Sequence, residues 1–302
     1  MGVAPFRGAP ALAEGIGITV EQASVILYWF AFALYVGASV LYAYQFILRY
    51  QKVGWWARFA TGAGFILQTI SIGLNSVAYD GTPLTGSNQL VLAGWALVLL
   101  YFVMEHVMRI RAYGAFLVPV AALSMAVAQL IGGGGSGSLV PPDPTIASQI
   151  DGWGVAFHVA LIVFANAGFV VGAVSSMLYL YQEQQLKRHR TSRVGRRLPS
   201  LATLQTVSRR AIALAFPVYT AGLALGIVRA MQVDVGGWWL DPRIMMSGVV
   251  LLTFGVYLTL VYRHDVSSRT TAWVAVSGFV FVIVLAIIAR TLPIGFHVFG
   301  QL

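Results

Sequence analysis

Eight long apolar stretches dominate this sequence and restrict the folds open to it. A helix needs about 20 apolar residues to cross a bilayer, and a soluble domain carries roughly a quarter charged residues. This chain of 302 residues is 58% hydrophobic and only 10% charged. We therefore predict an all-α integral membrane protein, a polytopic bundle of eight transmembrane helices that forms a single membrane domain over residues 1–302. The predicted spans, of which the fourth is the shortest, are Val25–Leu48, Phe59–Ala78, Leu90–Met108, Ala115–Ile131, Gly154–Tyr181, Ala211–Ala230, Ile244–Tyr262 and Thr271–Ala289.

The distribution of Lys and Arg between the loops predicts how the bundle is oriented. Of the 19 such residues, fifteen fall in one set of loops and four in the other. Loops rich in Lys and Arg stay in the cytoplasm. We expect a multi-pass protein of a bacterial-type plasma (inner) membrane, with both termini extracytoplasmic. The four residues on the outer side are Arg7, Arg229, Arg243 and Arg290.

Three segments between the spans have distinct compositions. Residues 132–152 are rich in glycine and proline and are predicted to form an outer flexible loop. Residues 183–210 are predicted to form a basic cytoplasmic loop that attracts anionic lipid headgroups. No aromatic residues lie between its cations, so the net charge of +9 does not indicate nucleic-acid binding. Residues 231–243 are predicted to form an outer tryptophan-rich segment.

The tryptophan-rich segment holds two adjacent indoles, Trp238 and Trp239, followed by the carboxylate of Asp241. Such a segment is poor membrane-spanning material, and indole N–H groups find polar partners at a membrane surface. Two interpretations are open at this point. The segment is either an interfacial aromatic belt or a binding platform for a flat apolar ligand.

Two of the five histidines favour the ligand platform. His106, His189 and His264 lie near arginines on the predicted cytoplasmic side and are interpreted as interfacial or loop residues. His158 begins the fifth span and His297 follows the eighth, so both lie on the predicted outer side with the tryptophans. Two imidazoles without a third are typical of axial ligation of a haem iron from opposite faces. The cofactor predicted is a non-covalent b-type haem with bis-histidine ligation.

The remaining polar groups of the outer side have secondary roles in this hypothesis. Arg243 and Arg229 are candidates to pair with the haem propionates. Asp241 is expected to orient the backbone, Arg243 or an indole. A zinc site is the alternative. Zinc would need three or four donors, so carboxylates would have to join the two histidines. The candidates are Asp143, Asp151 and Asp241.

These motifs resemble the haem-handling membrane proteins of cytochrome c assembly, which carry a tryptophan-rich "WWD" segment. Residues 236–242 are similar to the signature, residues 157–161 to the family's histidine at the start of a long helix, and residues 295–300 to its terminal histidine element. The likeness is greatest to the CcsA (ResC) type, which has eight helices and both ends outside. The resemblance implies haem ligation by the two outer histidines. It also implies a CcsB (ResB) type partner that helps deliver haem to the CxxCH motif of apocytochrome c.

The sequence departs from that pattern at several positions. Leu240 stands where the family commonly has another tryptophan, and Arg243 begins the pair that replaces the family's Lys-Glu. The CcsA type also has two histidines within the membrane that bind an inner haem. The corresponding positions here are Gln68 and Thr259, neither of which is a good iron ligand.

These observations leave three alternative functions open. The first is a haem-binding protein of cytochrome c biogenesis that presents haem at the outer face for attachment to apocytochromes. The chain would then be the haem-handling subunit of a cytochrome c synthase (haem lyase). The second is a HemX-like haem protein with a regulatory or electron-transfer role. The third is a transporter or scaffold that binds no haem.

Overall fold

The computed structural model of the protein describes residues 18–48, 51–78, 88–131, 153–188, 198–232, 238–263 and 265–291. Within these ranges the chain forms eight α-helices and no strand. In chain order the helices are α1 Val20–Leu48, α2 Gln51–Ala78, α3 Asn88–Met108, α4 Gly114–Ile131, α5 Trp153–Lys187, α6 Leu201–Gln232, α7 Pro242–Val261 and α8 Ser268–Thr291. The predicted set of eight helices is therefore confirmed.

Six of the eight helices, α1, α3, α5, α6, α7 and α8, are long and apolar enough to cross a membrane by length and composition. Helix α4 is apolar but shorter, as the sequence predicts. Helix α2 has 28 residues but a less apolar composition, because it includes groups such as Arg58, Gln68 and Asn75. The protein is a multi-pass membrane protein built as a helical bundle.

The helices extend further than the apolar stretches that predict them. Helix α5 continues to Lys187 and α6 begins at Leu201, so most of the basic loop predicted at 183–210 is helical. In the last turn of α5, Lys187 forms an ion pair with Glu183 at 2.6 Å. Such i,i+4 pairs stabilise a polar helix beyond the membrane. The end of an apolar stretch therefore does not mark the end of the helix.

Contacts between helices show that consecutive helices run in opposite directions; in α2 and α3, for example, Gln68 bonds to Val91 whereas Arg58 pairs with Glu105. Residues near the start of α1 contact the ends of α2 and α4: the Ser71 hydroxyl donates to the carbonyl of Ser24, and the Tyr28 hydroxyl donates to that of Met125. We call the end of the bundle where α1, α3, α5 and α7 begin the tryptophan end, since Trp238–Leu240 lies there. The opposite end is the basic end, where the described loops hold residues such as Arg109 and Arg263.

Three tyrosines spaced seven residues apart fix α1 within the bundle. Tyr28, Tyr35 and Tyr42 are all buried, and alanines occupy the positions between them on the same face. Each hydroxyl bonds to a different helix, because a buried hydroxyl without a partner is costly. Tyr28 donates to a carbonyl of α4, and Tyr35 donates to the Gln68 amide oxygen of α2 at 2.8 Å. Tyr42 shares a hydrogen bond with the Tyr101 hydroxyl of α3 at 2.6 Å. Helix α1 is therefore tied to α2, α3 and α4 by hydrogen bonds.

The hydrogen bonds of Tyr42 continue towards the basic end through Tyr101. The Tyr101 hydroxyl donates to Glu105 at 2.9 Å, and Glu105 pairs with Arg58 at 3.1 Å. The Glu105 side chain is only 14% exposed. A carboxylate this far from water needs such partners, because an unpaired buried charge is strongly destabilising.

Helices α5 and α6 pack closely over glycines. Gly168 and Gly172 of α5 face α6, where a Cβ added at Gly168 would lie 2.8 Å from the Cβ of Ala215. Gly222 and Gly226 of α6 face α5 in the same way. Both pairs have the small-xxx-small spacing that lets helix backbones approach in membranes. Two hydrophobic clusters, one mainly of α1–α5 and one of α5–α8, meet at α5.

We predict that Gly168→Ala destabilises the protein by about 1–3 kcal/mol, because the new methyl group overpacks the contact with Ala215. Gly73 of α2 has open space around it, so Gly73→Ala should stabilise by up to about 1 kcal/mol through helix propensity alone. Denaturant titration in detergent measures the free energy of unfolding of both variants. The double variant Gly168→Ala/Ala215→Gly should recover most of the loss. A failure to recover would show that the contact with Ala215 is not the cause.

Candidate functional site

A short turn followed by a capped helix presents the tryptophan-rich segment. Residues Trp238–Leu240 form one turn of 3-10 helix, and α7 begins directly afterwards at Pro242. Asp241 is the N-cap of α7: its carboxylate accepts a hydrogen bond from the backbone N–H of Arg243 at 2.8 Å. Proline at the first helical position has no N–H to satisfy and is preorganised for a helix. Buried Asp241 thus fixes the backbone on which the indoles are carried.

Residues of this turn form an apolar surface at the tryptophan end. Trp239 is 59% exposed and Leu240 is 67% exposed. Met245, in the first turns of α7, is also exposed. Adjacent exposed apolar side chains of this size indicate contact with lipid, a ligand or a partner. The side chain of Trp238, and residues 233–237 of the predicted outer segment, lie outside the described residues.

The imidazole of His158 lies between α5 and α6. It belongs to the second turn of α5 and is partly buried, and its Nδ1 lies 2.6 Å from the carbonyl oxygen of Gly222 in α6. A carbonyl oxygen only accepts hydrogen bonds, so Nδ1 carries the proton. In the neutral ring Nε2 then carries the lone pair that binds a metal. The local structure thus selects the tautomer that can ligate through Nε2.

Two arginines lie at the same end as His158. Arg229 is in the last turn of α6 and is exposed, while Arg243 is in the first turn of α7 and is partly buried. A cation in the first turn of a helix opposes the helix dipole. The carboxylate of Asp241, two residues away, offsets part of this cost for Arg243.

The structure describes only part of the predicted site. His158, Trp239, Asp241 and Arg243 all lie at the tryptophan end, where α8 also ends. His297, the second predicted iron ligand, lies outside the described residues. The same holds for the carboxylates considered for a zinc site, Asp143 and Asp151, and for the predicted outer loop 132–152. Among the described residues, no group of three or more His, Asp or Glu side chains could hold a metal ion.

Gln68, at one of the expected inner histidine positions, ties three helices together. Its side chain is fully buried: Nε2 donates to the carbonyl of Val91 in α3 at 3.0 Å, and Oε1 accepts from the Tyr35 hydroxyl of α1 at 2.8 Å. Both ends of the amide are therefore used in packing. This residue acts as an interhelical connector.

Thr259, at the other inner position, is exposed on α7. Its hydroxyl donates to the carbonyl of Val256 in the same helix at 2.8 Å. It makes no hydrogen bond to another helix among those the structure describes. The two positions thus differ in kind, since one is buried and bonded across helices and the other is not.

The partners of His158 on α6 are residues that the sequence analysis does not identify. The available signal is the spacing of Gly222 and Gly226, which predicts close packing of α6 against some other helix. It does not predict which helix or which side chain lies there. Only the packing of α5 on α6 assigns these glycines to His158.

We predict that Gln68→Leu lowers the free energy of unfolding by about 1–3 kcal/mol, since two interhelical hydrogen bonds are lost. Thr259→Val, the matched control, should change it by less than about 0.5 kcal/mol because that side chain is exposed. Chemical unfolding in detergent micelles compares the two. Equal effects of the two substitutions would contradict the connecting role of Gln68.

The fold and this end of the bundle define a class: a helical multi-pass membrane protein with a capped tryptophan turn and, at the same end, a histidine whose Nδ1 donates to a backbone carbonyl. The chain belongs to the cytochrome c assembly protein family, whose sequence pattern, described as "Cytochrome C assembly protein", matches residues 83–297. The matched region contains His158 and the tryptophan turn, and it ends at His297. The resemblance of the chain to this family is therefore confirmed.

Individual relatives agree with this assignment. The "Cytochrome c biogenesis protein CcsA" of Prochlorococcus marinus (strain MIT 9303) is 28% identical over 232 residues, which cover 68% of this chain and 71% of that protein. The protein of the same name from Guillardia theta is 23% identical over 250 residues, covering 78% and 82%. "Protein HemX" of Brevibacillus brevis is 33% identical over 106 residues, covering 35% and 39%. The family match and the similarities to the CcsA proteins support a role in cytochrome c biogenesis.

Proposed function

We propose that this protein holds a b-type haem non-covalently at the tryptophan end and presents it for attachment to c-type apocytochromes. The observation that carries the proposal is the hydrogen bond from His158 Nδ1 to the Gly222 carbonyl. It leaves Nε2 as the lone-pair nitrogen, which is the form required of an axial ligand. His297, at the end of the family match, is proposed as the second axial ligand.

The residues of this end suit the chemistry of a porphyrin. Haem is a large apolar plate with two propionates, and an apolar surface with a few polar groups binds such a ligand. Trp239 and Leu240 supply exposed apolar area, and Trp238 belongs to the same turn. A bound propionate would compensate the unfavourable position of Arg243 at a helix N-terminus. Arg229 is the second candidate for this role.

When bound, haem would supply the vinyl groups that react with the cysteine thiols of an apocytochrome. The contribution of the chain itself is placement. His158 would hold the plate on one face, and the Asp241 cap would keep the tryptophan turn in one conformation. In this role the chain is the haem-handling subunit of a cytochrome c synthase, acting with a CcsB (ResB) type partner and with apocytochrome c.

We place the tryptophan end outside the cell's inner membrane and the basic end in the cytoplasm. The distribution of Lys and Arg supports this orientation. Trp55 and Trp56, at the start of α2, are 54% and 57% exposed at the basic end. Exposed indoles next to cations are typical of a membrane interface, where the basic segment around residues 183–210 would attract anionic lipids.

A HemX-like regulatory or electron-transfer protein is the second candidate function. It is favoured by the roles of Gln68 and Thr259, which supply no inner pair of iron ligands for transfer of haem across the membrane. The similarity to Protein HemX over 106 residues points the same way. Both functions place haem at the tryptophan end, and they differ in whether apocytochromes receive it.

We predict that the purified protein binds one haem per chain with the absorption spectrum of a low-spin bis-histidine iron. His158→Ala and His297→Ala should each lose this spectrum. His106→Ala is the matched control, because His106 is exposed at the basic end of α3 and should leave the spectrum unchanged. A second equivalent of low-spin haem that persists in both variants would contradict a single site at the tryptophan end.

A maturation assay separates the two candidate functions. In a strain lacking its own copy of the gene, we expect the wild-type chain and His106→Ala to restore covalent haem on c-type cytochromes, and His158→Ala to fail. Haem staining of the cytochromes after denaturing electrophoresis measures this. Normal maturation with His158→Ala protein present at wild-type levels would exclude the first function, while the haem spectrum would still test the second.

A further inference from the structure

We infer that Gly222 and Gly226 of α6 are positioning residues for His158, an inference that rests on the proposed function of this histidine as an axial ligand. The Gly222 carbonyl accepts the proton of Nδ1 and thereby fixes the tautomer. Gly226 leaves the space that the ring occupies. Together the two glycines form what we call the imidazole-binding backbone of α6.

The contact with Gly226 is close and involves the functional edge of the ring. A Cβ at this position would lie 2.6 Å from Cε1, 2.9 Å from Nδ1 and 3.4 Å from Nε2 of His158. These three atoms form the edge that contains both nitrogens. A side chain at residue 226 would therefore push away Cε1 and Nδ1, and because the imidazole ring is rigid Nε2 would move with them.

The two glycines are four residues apart, which explains how one carbonyl serves the imidazole. In an α-helix the carbonyl of residue 222 accepts the N–H of residue 226, and a carbonyl oxygen has a second lone pair. Ordinarily side chains shield that lone pair from a neighbouring helix. The absence of a Cβ at both glycines leaves the carbonyl accessible to His158.

Gly222 also sets the distance between the helices. A Cβ there would lie 3.0 Å from Cδ1 of Ile162 and 3.1 Å from Cβ of Leu161. These residues are one turn further along α5 than His158. The close approach of α5 at this level brings the imidazole within 2.6 Å of the carbonyl.

The hydrogen bond changes the ligand as well as its position. An imidazole that donates from Nδ1 to a carbonyl is more basic at Nε2, and loss of such a partner typically lowers metal affinity 10–100-fold. A more basic ligand favours ferric iron, so weakening the bond should raise the reduction potential of a haem held by His158. The glycines would therefore tune the site without touching the haem.

The first test needs neither haem nor a variant of α6. Nitrogen-15 NMR of the full chain in micelles, labelled on histidine, distinguishes the two tautomers at about pH 8, where an ordinary imidazole is neutral. Comparison with His158→Gln assigns the signal. We expect the His158 proton on Nδ1, and a proton on Nε2 in the wild-type protein would overturn the inference.

The second test compares Gly226→Ala with Gly248→Ala, a glycine of α7 that has no atoms near its added Cβ. We expect Gly226→Ala to lose the Nδ1 signature, to bind haem about 10–100-fold more weakly and to raise its reduction potential. Gly248→Ala should match the wild type in all three. If His158→Ala abolishes haem binding but Gly226→Ala leaves affinity, potential and tautomer unchanged, the inference fails and the proposed function stands. If no variant of His158 changes haem binding, the proposed function fails. The NMR signal of His158 in the wild type and in Gly226→Ala then tests the role of the glycines by itself.

Discussion

The close contact of α5 with α6 is the interaction on which the candidate site depends. Lipid tails are as apolar as leucine, so helices in a membrane associate through close packing and interhelical hydrogen bonds. Here α5 contributes Gly168 and Gly172 towards the basic end, while α6 contributes Gly222 and Gly226 towards the tryptophan end. Each helix thus fits side chains of the other over bare backbone at two levels of the contact. At the tryptophan end the side chain accommodated in this way is the imidazole of His158, so the packing that holds the helices also orients the proposed ligand.

The first four helices are joined by several interhelical hydrogen bonds in addition to glycine contacts such as that of Gly94 with α4. Hydroxyl and amide groups there bond from helix to helix, through the tyrosines of α1 and through Gln68. The position that the CcsA resemblance gives to an inner histidine is therefore part of the framework of this bundle. A histidine there would have to replace two hydrogen bonds to different helices before it could bind a metal. Gln68 at the expected position of a histidine is thus compatible with a stable fold. The buried amide fills the space between the helices but cannot serve as a good iron ligand.

The sequence predicts the number and order of the helices because a bilayer sets a minimum apolar length. It does not predict their ends: α5 and α6 continue into polar sequence, where ion pairs and caps stabilise the helix instead of burial. The sequence places His158 near the start of a helix and gives Asp241 a backbone-orienting role, and the cap at the start of α7 agrees with that role. It cannot identify Gly222 as the partner of His158, because small-residue spacing predicts close approach but not the neighbour. Nor does it distinguish buried Gln68 from exposed Thr259, which both stand in apolar stretches.

The described parts of the site all belong to the second half of the chain. His158 lies on α5, its carbonyl partner on α6, and the tryptophan turn leads into α7. Gln68 lies in the first half, and α5 is the helix whose two faces join the hydrophobic clusters of the two halves. The hydrogen bonds of Gln68 run to α1 and α3, while the contact of α5 with α6 is set by glycines. This separation gives a physical reason why Gln68 can stand in the first half while His158 keeps its hydrogen-bond partner on α6.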